Sequence, residues 1–431
     1  MTPILAFLGL AMLVLLGGGV WIGLALLGIG AGALEVFRDM PVVKLLGQLS
    51  WNATTQAELA SLPLFILMAE ILFRTRLSDQ IFAGLAPLAR RLPGQLLHVN
   101  VLGCTLFAAV SGSSAATAAT VGRITLPELE RRGYAKSAAM GSLAGAGTLG
   151  FLIPPSIVMI VYGVLAEVSI IKLFMAGILP GLLLALGFMI WIGIHSRINN
   201  RLVPSGEAVL TWRETGRALA NLGPVLVLIF ALIGSMYAGL ATPNEAAAVG
   251  VWGALALGAF QRSLSLAKLV DALMAGVRTT SMIGLILVGA AFLTTAVGYL
   301  GVPRAIVGAV SEWGLGPFAL IAMLLLIYIV LGMFLDGISM IVMTLPLVLP
   351  LVVAAGYDPI WFGVFLVVAV ELAQVTPPVG MNLFVIQGLA KVPMGEVAQA
   401  ALPYFLIMIG FALLLAVWPD LAMLLPRLAA G

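Results

Sequence analysis

Two stretches of this chain follow one plan, 223 positions apart. Pro127, Gly133, Tyr134, Pro154, Pro155 and Pro180 recur without a gap as Pro350, Gly356, Tyr357, Pro377, Pro378 and Pro403. Every proline between Ser111 and Pro180 has a proline partner at that offset. Prolines and glycines held in register over this length imply two copies of one supersecondary unit, built to be packed together.

The setting of the repeat is a membrane. Only 9% of the residues are charged and 62% are hydrophobic, whereas soluble domains carry about 25% charged residues. Val225 to Ala241, Ile283 to Leu300 and Tyr404 to Trp418 read as spanning helices, since about 20 apolar residues cross a ~30 Å hydrocarbon layer. The first apolar stretch, Ile4 to Ala33, has neither a basic leader nor a small-residue cleavage site and is expected to be mature structure, with Gly17, Gly18 and Gly19 able to split it. Net charge is +3, but the basic residues read as loops between apolar segments, a topology signal rather than a polyanion site. The lone Cys104 excludes an intramolecular disulfide.

Charge also orients the copies. The linker with Arg123, Arg131, Arg132 and Lys136 is expected on the cytoplasmic side, while its counterpart, Leu345 to Trp361, holds only Asp358. The copies then thread the membrane in opposite directions, as an inverted repeat. Arg197, Arg201, Arg213 and Arg217, then Arg262, Lys268 and Arg278, and finally Lys391 fit the same alternation, with the base-poor Ala241 to Glu245 on the other side.

Each copy has two breaks. Ser111, Gly112, Ser113 and Ser114 separate two apolar arms, Gln95 to Val110 and Ala115 to Glu128, whose outer flanks are both basic. This is the pattern of a re-entrant hairpin with a small polar tip at mid-membrane depth. The second copy has Phe318 to Met333, a tip with Asp336 and Gly337, and Met340 to Pro350. Beyond each hairpin, paired prolines remove two amide donors and interrupt the next helix. Thr148 and Gly150 precede Pro154 and Pro155, and Glu371, Gln374 and Thr376 precede Pro377 and Pro378. Freed carbonyls there suit a cation and half-helix N-termini suit an anion.

Other readings of the same residues are plain. Serine and glycine also serve close packing of membrane helices, and paired prolines alone are a kink. Asp336 and Glu371 cost roughly 2.5 to 3.5 kcal/mol each at a helix centre, which makes them functional by default. Glu70 and Glu245 have no readable depth, and His98 and His195 read as isolated interfacial residues. Nucleotide hydrolysis is excluded by the absence of a Gly-Lys-Ser/Thr phosphate loop. Two distant histidines cannot build a zinc protease, and Asp336 with Glu371 is the only carboxylate pair an intramembrane aspartyl enzyme could use. Paired tips in inverted repeats suit alternating access better than a passive pore.

The run Ser111-Gly-Ser-Ser-Ala-Ala-Thr-Ala-Ala-Thr-Val-Gly, with Leu126-Pro-Glu-Leu, Arg132-Gly-Tyr and Gly147-Thr-Leu-Gly-Phe-Leu-Ile-Pro-Pro-Ser, resembles the large membrane subunit (DctM-like) of tripartite ATP-independent periplasmic (TRAP) transporters. So do Ala241-Thr-Pro-Asn-Glu-Ala-Ala-Ala-Val-Gly, Phe334-Leu-Asp-Gly, Gly356-Tyr-Asp-Pro and Thr376-Pro-Pro-Val-Gly-Met-Asn-Leu-Phe. The likeness covers nearly the whole chain. It implies an all-α integral membrane protein of the bacterial inner (cytoplasmic) membrane: an inverted-repeat elevator-type transporter with two re-entrant helical hairpins and two broken transmembrane helices. The function it implies is sodium-coupled import of an organic acid anion, such as a dicarboxylate or a sialic acid, and no enzymatic activity. No cofactor is implied beyond sodium as coupling ion. The implied partners are a small four-helix membrane subunit and a periplasmic substrate-binding protein. A self-sufficient anion symporter or exchanger is the alternative.

The expected layout is scaffold helices at 1–75, a first repeat at 76–195 (hairpin 94–128, broken helix 137–165), a central connection at 196–300, a second repeat at 301–418 (hairpin 317–351, broken helix 359–388) and a tail at 419–431. By the resemblance, one sodium site uses Ala108, Ser111, Gly150, Ile153 and Pro155, and the other Gly332, Ala373, Thr376 and Val379. Gly150 and Ile153 fall on Ala373 and Thr376 at the repeat offset. The Ala108 side chain has no oxygen to offer, so only its backbone suits a cation. Ser113, Ser114, Thr148 and Asp336 are the expected substrate contacts.

Overall fold

Backbone groups in hydrocarbon must be hydrogen-bonded within the chain, and this chain answers with helices. The computed structural model describes residues 2–199, 202–204 and 211–429, and Arg201 lies outside them. Among the described residues there is no strand.

The N-terminal part is α1 (Thr2–Gly17), α2 (Ile22–Phe37), α3 (Val42–Thr54) and α4 (Ser61–Phe73). The first apolar stretch is thus two helices, parted at Gly18 to Trp21. The first repeat holds α5 (Leu77–Ala89), α6 (Leu97–Ser111), α7 (Ser114–Arg131), α8 (Lys136–Gly147), α9 (Ile157–Leu165) and α10 (Ile170–Ile198). The connection holds α11 (Trp212–Ala220), α12 (Gly223–Tyr237), α13 (Pro243–Phe260) and α14 (Leu266–Tyr299). The second repeat holds α15 (Val302–Glu312), α16 (Pro317–Gly332), α17 (Gly337–Ala354), α18 (Pro359–Gln374), α19 (Met381–Ala390) and α20 (Met394–Val417). Residues 419–431, set apart above as a tail, carry α21 (Asp420–Leu428), which packs on α10.

Four of these helices, α10, α14, α17 and α20, are long and apolar enough to cross a membrane, and seven spans result if each bent helix pair is one. The bent pairs include α3 with the segment Ala57–Phe73, at 57°, and α15 with α16, at 118°.

Glycine sets the tightest packing. A Cβ on Gly23 of α2 would lie 2.6 Å from the Leu285 carbonyl oxygen of α14, and one on Gly289 would lie 2.5 Å from the Gly23 carbonyl oxygen. Close backbone approach of this kind replaces the hydrophobic drive that lipid cannot supply. In the same way α8 lies on α20: a Cβ on Gly141 would strike the Ala400 carbonyl oxygen, and one on Gly145 the Tyr404 ring. Because 141 meets 400 and 145 meets 404, α8 and α20 run parallel. Trp191 and Ile192 of α10 line one cavity with Pro403 and Tyr404 of α20, while Gly187 faces Ile407, so α10 and α20 run antiparallel.

Many of the basic residues lie within helices or at their ends rather than in loops, which corrects the reading above. Arg123 and Arg131 belong to α7, Lys136 opens α8, Arg197 closes α10, Arg213 lies in α11, and Lys268 and Arg278 lie in α14. Of the described residues in that series, Arg132, Arg262 and Lys391 fall in connections. At 34 residues, α14 is ~51 Å long and overruns the hydrocarbon, which leaves its basic first half free to reach water. Long cationic side chains can do this from within a helix.

Two of the remaining ionisable groups have local roles. Glu70 pairs with Arg74 one turn on, and Glu245 closes a capping box with Thr242 at the start of α13. His98 is 2% exposed, with Nε2 2.6 Å from the Pro93 carbonyl oxygen, so it is a packed, hydrogen-bonded residue and not an isolated one.

Replacing Gly141 by valine should lower thermal stability in detergent by about 1 to 3 kcal/mol through overpacking against α20. Gly410→Ala, which meets no atom within 4 Å, should leave the melting temperature unchanged.

Candidate functional site

The first hairpin turns on Gly112, whose φ of +59° is the left-handed conformation that glycine adopts without a Cβ penalty. Its N–H donates to the Ala108 carbonyl at 3.1 Å and ends α6. At the far ends of the arms, the Tyr134 hydroxyl accepts from the Leu96 N–H at 3.3 Å and donates to Gln95 Oε1 at 3.1 Å. The chain therefore enters and leaves this unit at one end. Within the tip, Ser111 Oγ and Thr117 Oγ1 are 2.6 Å apart, and the Ser113 N–H donates to Ser111 Oγ at 3.3 Å.

The second hairpin is built differently at the same place. Asp336 is exposed, and its carboxylate caps α17, accepting from the N–H groups of Ile338 (3.1 Å) and Ser339 (3.2 Å) and from the Ser339 hydroxyl. The arms are tied by Tyr328 and Thr344, whose hydroxyls are 2.8 Å apart. Equal spacing of 328 and 344 about Asp336 makes α16 and α17 antiparallel.

Beyond α8, one tight turn at Thr148–Gly150 leads into Pro154-Pro155, and α9 begins after Ser156, whose hydroxyl accepts from the Met159 N–H at 3.3 Å. Pro377-Pro378 parts α18 from α19 likewise, and both Pro-Pro bonds are cis. Each tip sits on a break. The Gly112 carbonyl accepts from the Ile157 N–H at 3.3 Å, and a Cβ on Gly112 would lie 2.8 Å from the Pro155 carbonyl oxygen. A Cβ on Gly150 would lie 2.5 Å from Ser114 Cα, and one on Gly332 would strike the Ala373 side chain.

The expected sodium residues thus form two groups. Ala108 and Ser111 end the arm that turns into the tip, and that tip touches Gly150 and Pro155. Ile153 donates its N–H to the Leu149 carbonyl at 3.0 Å. In the other group Gly332 abuts Ala373. The Thr376 hydroxyl donates to the Leu372 carbonyl at 2.7 Å, and its carbonyl accepts from the Gly380 N–H at 3.0 Å. Val379 is half-buried beside them.

The expected substrate residues are more scattered. Ser113 and Ser114 adjoin the first break, and Asp336 precedes Gly337, which lies beside Val370 and Phe151. Thr148 turns away from the tips: its hydroxyl donates to the Gly145 carbonyl at 2.6 Å and lies 3.5 Å from Met408 Sδ.

Two residues outside those sets join the halves or stand ready for a ligand. Glu371 is 1% exposed, and its Oε1 accepts from the Ser114 hydroxyl and, at 2.8 Å, from the Phe151 N–H. One carboxylate of the second repeat thereby holds both the tip and the break of the first. Its Oε2 has no partner. Asn382, fully buried at the start of α19, has neither side-chain atom paired, and it faces Gly147. Its signal was the Pro-Pro-Val-Gly-Met-Asn run, which marks the position without its burial.

Glu371→Gln keeps an acceptor for both donors and should melt close to the parent chain. Glu371→Leu leaves two buried donors unmatched, at about 1 to 3 kcal/mol each, and should melt clearly lower. Equal melting of the two variants would show that the bridge carries no stability.

Comparison with known proteins agrees with this architecture. The profile of the tripartite ATP-independent periplasmic transporter, DctM component, matches residues 8–421. The chain is 33% identical over 399 residues to the C4-dicarboxylate TRAP transporter large permease protein DctM of Pseudomonas aeruginosa, covering 92% of this chain and 93% of that one. It is 32% identical to the ectoine/5-hydroxyectoine TRAP transporter large permease protein UehC of Ruegeria pomeroyi, covering 98% of each. It is 30% identical to the isethionate TRAP transporter permease protein DctMQ of Oleidesulfovibrio alaskensis, covering 96% of this chain and 64% of that longer one. Its fold resembles the crystal structure of the Alcanivorax borkumensis YdaH transporter, with a TM-score of 0.66 at 16% identity over 93% of this chain and 97% of that one. With the family profile spanning nearly its full length, the chain belongs to the DctM components of tripartite ATP-independent periplasmic transporters, multi-pass bacterial membrane permeases that are not enzymes.

Proposed function

We propose that this permease imports an organic acid anion coupled to sodium, by rigid-body movement of a domain that contains both hairpins. The observation that carries the reading is the seating of each hairpin tip on a proline break. Helices α7, α9, α17 and α19 all start at these junctions, and helix N-termini favour anions while freed carbonyls favour cations. The residues bet on for the two cations remain Ala108, Ser111, Gly150, Ile153 and Pro155 in one group and Gly332, Ala373, Thr376 and Val379 in the other. Ser113, Ser114 and Asp336 are proposed to face the anion, with the unpaired amide of Asn382 as an added contact. Thr148 acts through the helix end it stabilises.

Two further observations support movement of one body against another. The corresponding helices α10 and α20 run antiparallel, as opposite threading of the two repeats requires. A cavity of about 600 Å³ separates Gln56 and Glu58 of the N-terminal part and Pro243 of the connection from Gly163, Glu167 and Ile171 around the α9–α10 turn. The relatives' names join dicarboxylate, ectoine and isethionate transport to a tripartite system. From these we take a small membrane subunit and a periplasmic substrate-binding protein as partners. The protein named DctMQ, in which this chain spans 64% of the length, fits a small subunit joined to the large one.

Uptake into proteoliposomes should require both a sodium gradient and the binding protein, and Ser111→Ala or Thr376→Val should weaken the dependence on sodium by tenfold or so, equivalent to about 1.4 kcal/mol. Uptake by this chain and its small subunit with no binding protein would replace the proposal with a self-sufficient symporter. Unchanged sodium titrations in both variants would remove the assigned cation residues.

A further inference from the structure

A second polar cavity, far from the hairpin tips, lies where α8 and α20 begin and α10 ends. Its volume is about 360 Å³, and Lys136, Ser137, His195, Ser196, Glu396 and Gln399 supply its polar wall. Trp191, Ile192 and Pro403 form an apolar floor.

The charges are placed by helix register. Since Gly141 meets Ala400 and Gly145 meets Tyr404, one turn back brings Ser137 and Lys136 opposite Glu396. A cation and a carboxylate therefore stand on neighbouring helices without forming an ion pair with each other. Two parallel helices also begin here, α8 after Ala135 and α20 after Pro393, and neither has a side-chain cap. The positive dipole ends and uncapped first-turn N–H groups favour an anion, chiefly at α8, since in α20 the Glu396 N–H already donates to the Pro393 carbonyl at 3.1 Å. Ser196, 9% exposed, also lines the cavity, while its unpaired hydroxyl is buried on the side of Gly94 and His98.

The cavity continues into apolar surface. From it α10 carries an exposed ridge of Leu182, Leu186, Ile190 and Ile194, and antiparallel α20 carries Leu402 and Leu406. A free organic acid has no use for such a trough, whereas acyl chains do.

From this juxtaposition we infer that the cavity binds the headgroup of a zwitterionic phospholipid. The phosphate lies against Lys136 and the N-terminus of α8, the ammonium of an ethanolamine arm lies at Glu396, and the chains follow α10 and α20. Basic pockets between membrane helices hold lipid headgroups by the same forces, and Glu396 adds selection for a headgroup that carries an amine.

The test is thermal stabilisation of the full chain in detergent, titrated with dihexanoyl phosphatidylethanolamine, dihexanoyl phosphatidylglycerol and inorganic phosphate. The ethanolamine lipid should give a saturable rise in melting temperature, with apparent affinity at least fivefold weaker in Lys136→Gln and in Glu396→Gln. Lys391→Gln, outside the cavity, should respond as the parent does. Glu396→Gln should also abolish the preference for ethanolamine over glycerol. An equal response of parent and Lys136→Gln, no response at all, or the same rise with inorganic phosphate at equal concentration would each overturn the lipid assignment.

Discussion

A helix that runs into Pro154 and Pro155, or into Pro377 and Pro378, leaves main-chain groups unmatched at a depth where lipid offers none. Much of this molecule is arranged around that shortage. The Gly112 carbonyl takes the first N–H of α9, and the Phe151 N–H goes to Glu371. The Thr376 carbonyl takes the Gly380 N–H. Hairpin tips rich in small residues are needed because only they come close enough, and a Cβ at Gly112, Gly150 or Gly332 would hold the parts away from each other. The candidate site is in this sense a by-product of seating two hairpin tips on two broken helices.

The duplication is faithful in backbone and free in side chains. Shifted by 223 positions, α7 falls on α17 residue for residue at both ends, and α8 starts where α18 starts. Yet the first tip is held by serine and threonine hydroxyls and the second by an aspartate cap. Position 148 bears a threonine bonded to its own helix, while position 371 bears a carboxylate that reaches across to the other repeat. A two-fold scaffold thereby carries an asymmetric interior.

Proline and glycine made much of this legible, because they act through backbone geometry that needs no knowledge of neighbours. Tips and breaks follow from Gly112, Pro154 and Pro377 as written. Partners across the fold do not: nothing near Glu371 in sequence names Ser114, and nothing in the Gly-Thr-Leu-Gly run says that Thr148 faces Met408. Cationic residues misled for a related reason. A charge count places Lys268 and Arg278 outside the hydrocarbon, but it cannot tell a loop from a helix long enough to emerge from it. His98 misled too, since its one hydrogen bond to the Pro93 carbonyl lets an apolar core accept it.

The bridge at Glu371 also sets an order of events during synthesis. Ser114 is made 257 residues before the carboxylate that accepts its hydroxyl's hydrogen bond, and Phe151 waits 220 residues for the same oxygen. Until the second half is inserted, the first half holds an incomplete interior in the bilayer, with its polar tip and open turn unanswered. The early half is therefore a provisional structure that the late half finishes, and truncation near the middle of the chain leaves a fragment whose defect is polar, internal and already in the membrane.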